Sequence, residues 1–199
     1  MTTANSQPVL IDILGPTTGM ALRLKQAALV VLGVAMIAIA AKIRVPMWPV
    51  PITMGTFAVL SIGAAYGARL GLLTIVGYLL VGALGFDVFA GSSAESHGLS
   101  YMMGGTGGYL AGYVLATVAL GGLAARGWDR SFGWMVLALL IGNALIYVPG
   151  LAWLGQLYGW DKPILEWGLT PFLIGDAIKL ALAALLLPAL WRFIGDARR

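Results

Sequence analysis

Between its charged residues the chain runs in six long apolar stretches, at about 24–43, 52–67, 70–86, 104–125, 132–157 and 170–193. Most approach the roughly 17 to 25 residues that an α-helix needs to cross the hydrocarbon core of a bilayer. Lipid offers no partner to backbone N–H and C=O groups, and no ten-residue alternating pattern points to a barrel. The spacing therefore predicts an all-α, polytopic membrane protein with six transmembrane helices. Residues 1–23 and 195–199 read as tails on either side of a membrane domain at 24–194. A mean hydropathy of +0.91, with 60% hydrophobic and 10% charged residues, supports the same class.

Lysine and arginine give the chain a direction. With both termini in the cytoplasm, that side receives Arg23, Lys25, Arg69, Arg126, Arg130, Arg192, Arg198 and Arg199, against Lys42, Arg44 and Lys162 outside. That asymmetry is the positive-inside pattern. The outer loops are then the long irregular ones, and Pro46, Pro49 and Pro51 forbid helix in the first of them. Trp48, Trp153, Trp160 and Trp167 fall near the same interface, where they suit an aromatic belt or, alternatively, the lining of a pocket.

Several function classes drop out. The chain has no cysteine and one histidine, which removes thiolate chemistry and leaves little for a metal; neither a metal nor a cofactor is expected. The net charge of +4 is spread over short loops and not gathered on a face, so no nucleic-acid partner is expected. Ser96 and His97 share one loop without an oxyanion framework, so an enzyme is not expected either. No Walker A sequence occurs, and the first 20 residues lack the basic start and apolar core of a secretory signal. Gly104, Gly108 and Gly112 recur every fourth residue, which makes a groove for close helix packing.

The anomaly is "GDAIK" in the last stretch. Asp176 and Lys179 share a helix face, about 9 and 13 Å deep if that helix starts near Thr170. Each charge at helix centre costs about 2.5 to 3.5 kcal/mol on insertion scales. Three readings are open: an ion pair that locks helices, a protonatable site in an ion-coupled secondary carrier, or a binding site for a neutral polar solute. Asn143 and Tyr147, four apart on the fifth stretch, either extend such a cavity or make a helix contact.

Four motifs in order, "VPMWPVPITMGTFAVLSIGAAYGARLG", "YLLVGALGFDVFAG", "GGTGGYLAGYVLA" and "LTPFLIGDAIKLALAALL", resemble the BioY family, the biotin-specific substrate-binding components of energy-coupling factor transporters. The likeness covers about residues 24 to 193. Gly55 and Gly105 depart from it, standing where members commonly carry glutamine and proline. The resemblance implies six membrane helices in the cell membrane, a biotin pocket open to the outside, and work with a coupling transmembrane subunit and two ATP-binding subunits. It places Asp176 and Lys179 on the ureido head of biotin. The valerate carboxylate would then meet Lys42, Arg44 or backbone N–H groups of "FAGSS", from Phe89 through Gly91 and Ser92. Docking on the coupling subunit would use small residues at four-residue spacing, approximated by Ala27, Val31 and Ala35 and matched by Ala64 and Ala68.

Overall fold

A computed structural model describes residues 7–91 and 96–197. Its long helices are α1 (Gly19–Lys42), α2 (Gly55–Ala83), α4 (Gly107–Ala124), α5 (Phe132–Tyr158) and α7 (Leu173–Ala197). Two short helices, α3 (Gly98–Met102) and α6 (Ile164–Gly168), sit in the loops. Among the described residues five stretches are long and apolar enough to cross a membrane, the last running Ile164–Ile194. Many large apolar side chains point outward, Val31, Leu32 and Ile39 of α1 being more than 60% exposed. That is the surface of a protein whose solvent is lipid.

The second and third predicted stretches both lie in α2, which is interrupted at Gly67 (φ 75°, ψ 173°). A Cβ placed on Gly71 would lie 3.6 Å from the Cα of Gly63, whereas eight residues of unbroken helix span about 12 Å. The chain therefore doubles back at Gly67, and α2 consists of two arms, 55–66 and 68–83. Only glycine takes that backbone conformation without strain.

Packing closes a ring. α2 packs on α4, α4 on α5, α5 on α7 and α7 on α2, while α1 leans on α2 from outside. Small residues line the α2–α4–α5 seam. A Cβ on Gly63 would sit 3.1 Å from Thr117 Cα, and one on Gly112 would sit 2.6 Å from Ile146 Cα. A Cβ on Gly108 would overlap Pro149 and Trp153, so Gly108 and Gly112 let α4 and α5 nearly touch. Gly104 lies before α4 begins and serves the seam differently, its carbonyl accepting the Trp153 indole N–H at 2.8 Å.

The N-terminal residues differ from the expected tail. α1 begins at Gly19, five residues earlier than expected, and Val9, Leu10 and Ile11 are buried around a 3-10 turn at Leu10–Ile13. This strap crosses the α2 turn with Val9 over Gly67. Gln7 N–H bonds the Ala125 carbonyl at 2.8 Å, Lys25 Nζ the Ile11 and Leu14 carbonyls, and Arg130 the Pro8 carbonyl at 3.1 Å. Three apolar residues after Pro8 are too few to show a periodicity.

At the other end, β1 (Arg44–Val45) pairs antiparallel with β2 (Ile52–Thr53). The prolines between them make the extended cover that their sequence requires. Val50 is buried beneath it.

Candidate functional site

Asp176 stands in the first turn of α7, after a 3-10 turn at Thr170–Phe172. The positive end of the helix dipole favours a carboxylate there. Its Oδ1 accepts a hydrogen bond from Lys179 Nζ at 2.8 Å and its Oδ2 one from the Tyr147 hydroxyl of α5. Lys179 also donates to Thr56 Oγ1 on α2, at 3.2 Å. The two charged residues are 7% and 8% exposed, so this is a desolvated pair tied into three helices.

The pair lies between two spaces. Toward the β1–β2 cover, the end termed outer, lies a small cavity. Lys179, Tyr147 and Thr56 form part of its lining, with Phe89, Tyr101 and Tyr113. On the inner side Asp176 and Lys179 share a smaller chamber, about 210 Å³ between its walls, with Asn143. The Asn143 Oδ1 is buried there without a hydrogen-bond partner.

Aromatic rings build the outer cavity and hold its loops. Phe89 stacks on Tyr101 (centroids 5.0 Å, 11°) and meets Tyr78 edge-on at 5.4 Å. The Tyr78 hydroxyl bonds the Val88 carbonyl at 3.1 Å, and the Tyr109 hydroxyl bonds the Gly168 carbonyl at 2.8 Å. Each tyrosine thus gives an apolar face to the cavity and a polar tip to a loop. Sequence reasoning missed these tyrosines. Tyr109 and Tyr113 share a helix face at i, i+4, a signal that was present, but Tyr78 and Tyr101 come from separate segments. The tryptophans lie elsewhere: Trp48 meets Tyr158 and Trp167 edge-on in an outer cluster.

The remaining expected residues sort clearly. Lys42 Nζ bonds Asp87 Oδ1 at 2.5 Å and the Phe89 carbonyl at 2.8 Å, and Arg44 bonds the Ala90 carbonyl, so both cations clamp the 87–91 loop. Arg44 also lines an open mouth beside the cover with Gly91, Tyr101 and Thr106. The Gly91 N–H is given to the Tyr101 hydroxyl at 3.1 Å and is not available to a carboxylate, contrary to expectation. Ser92 lies outside the described residues. Ala27 and Ala35 are exposed on α1 and Ala68 is half-buried, but Ala64 is 1% exposed against the interior and presents nothing to a partner.

These features describe an integral membrane protein with an aromatic pocket whose lining includes the lysine of a buried ion pair. The chain belongs to the BioY family, whose model matches residues 14–196. It is 36% identical over 165 residues to a probable biotin transporter BioY of Pyrococcus horikoshii, covering 83% of this chain and 95% of the relative. It is 34% identical over 152 residues to the biotin transporter BioY of Thermotoga maritima, covering 76% and 87%. Its fold matches the crystal structure of an S-component for biotin from an ECF-type ABC transporter with a TM-score of 0.71, over 88% of this chain and 95% of that one at 21% identity. The chain is accordingly a multi-pass protein of the cell membrane, and a transport component, not an enzyme.

Proposed function

We propose that this chain captures biotin at the membrane face opposite its termini, as the substrate-binding subunit of an energy-coupling factor transporter energised by partner ATPases. The carrying observation is Lys179 in the lining of the aromatic cavity, with its ion-pair partner Asp176 directly behind it, in a chain whose curated relatives are biotin transporters. Asp176 lines the inner chamber just behind Tyr147 and Lys179, and each of its oxygens keeps a lone pair that suits an N–H group of a cyclic urea reaching past them. Lys179 uses two of its three donors, leaving one for the urea carbonyl. Phe89, Tyr101 and Tyr113 supply the apolar wall that a thiophane ring needs. The valerate then runs toward the mouth, where Arg44, with several N–H donors, is the cation in reach of it.

In this reading the two arms of α2 count as separate crossings, giving six spans, and the arginine-rich ends place both termini in the cytoplasm. Ala27, Ala35 and Ala68 then face the coupling subunit.

Isothermal titration of the purified protein with biotin tests the site. Asp176→Asn and Lys179→Met should each weaken binding by about 2 kcal/mol or more, because each leaves a buried partner unpaired. Unchanged affinity in both variants removes the pair from the site. Biotin uptake into partner-free liposomes driven by a pH gradient alone would instead identify an ion-coupled carrier.

A further inference from the structure

At the opposite end of the bundle from the pocket, an open groove runs between α1 and α4 across the 68–83 arm of α2, roofed by the strap. Its walls are Val30 and Val31 of α1, Leu73 of α2 and Ile11 of the strap. On the α4 side Gly122 leaves the surface bare, with nothing within 4 Å of where a Cβ would stand. Val31 is 67% and Leu73 54% exposed, so the groove opens sideways into the bilayer.

Its polar end is basic. Arg69 lines the groove at the α2 turn, is exposed, and has no ion-pair partner among the described residues. Arg23 lies one turn before the lining residues Gln26 and Ala27, and Arg126 follows the lining residue Ala125. The one carboxylate of the lining, Asp12, already accepts the Val9 N–H at 3.1 Å and belongs to the strap's own turn. Apolar walls facing lipid, and arginines without an ion-pair partner among the described residues where the helices end, make an amphipathic site of one sign. A phosphodiester with an acyl chain matches both halves. A protein helix would match the walls but brings no fixed anion to the arginines.

The geometry points to a binding site for one anionic phospholipid, its phosphate at Arg69 and an acyl chain along Val31 and Leu73, beneath the strap. It takes the topology from the proposed function; because Ala27 and Ala68 also line the groove, the lipid occupies this face in the chain free of the coupling subunit, and the site is independent of what the outer cavity binds.

Native mass spectrometry of the delipidated full-length protein in neutral detergent tests it, with phosphatidylglycerol and phosphatidylcholine of identical chains. Phosphatidylglycerol should be retained preferentially. Arg69→Gln should reduce that retention about fivefold, the value of one interfacial cation. Arg69→Lys should restore most of it, and biotin affinity should be the same in both variants, which also shows that they fold. Equal retention of the two lipids by the unaltered protein overturns the proposal without recourse to a variant. Undiminished phosphatidylglycerol binding in Arg69→Gln overturns it too. Displacement by equimolar inorganic phosphate would reassign the site to a soluble anion. Protection of the groove by added coupling complex alone, with no lipid preference, would make it a protein interface.

Discussion

The carboxylate of Asp176 receives a donor on each oxygen and sits where the helix dipole is positive, and these two facts together account for its place inside the membrane domain. The sequence alone showed the pair and its shared face, and it put Asn143 and Tyr147 on one side of their helix. It did not show that Tyr147 reaches the outer cavity while Asn143 reaches the inner chamber, because that depends on how α5 is rotated against α7. The division makes a graded prediction. Tyr147→Phe removes a hydrogen bond to a charged group, worth about 1.5 to 3 kcal/mol, so biotin should bind at least about tenfold more weakly. Thr56→Val removes one neutral acceptor from Lys179 and should have a smaller effect, about 1 kcal/mol. Calorimetry on the two variants measures the difference, and equal losses would contradict the assigned order of contacts.

At the scale of elements, glycine decides where helices turn and touch. Gly67 holds a backbone conformation nearly confined to glycine, and Val9 stands 3.2 Å from where its Cβ would be. Gly67→Ala should destabilise by about 1 to 3 kcal/mol, read as a lowered melting temperature in detergent. The every-fourth-residue glycines were legible as a packing face, although which helix they meet was not. The strap and the 3-10 turn at Trp128–Arg130 were not legible at all. In that turn Asp129 is 1% exposed, bonded through Oδ2 to the Trp191 N–H at 2.5 Å, with Arg130 stacked 4.4 Å from the Trp191 ring centre. Burial raises its carboxyl above the ordinary 3.8, offset in part by the Trp191 hydrogen bond. A raised folded-state pKa means that ionisation disfavours the folded form, so stability declines as pH rises from about 4 through the raised value. Asp129→Asn keeps an acceptor for Trp191 and should flatten that part of the melting-temperature profile. An unchanged profile would show that Asp129 is not its source.

For the molecule as a whole, the membrane class and the order of the elements followed from the apolar stretches, since lipid leaves the backbone few alternatives. The aromatic enclosure did not, because it assembles side chains that are far apart in the chain. Neither did the contrast between the tight α2–α4–α5 seam and α1, which leans on the bundle from one side. Where Gly63, Gly108 and Gly112 bring backbones nearly into contact, neighbouring helices have no slack to part, so the seam cannot open as a gate. Spin labels on α4 and α5 should therefore keep one fixed separation whether biotin is absent, bound or released.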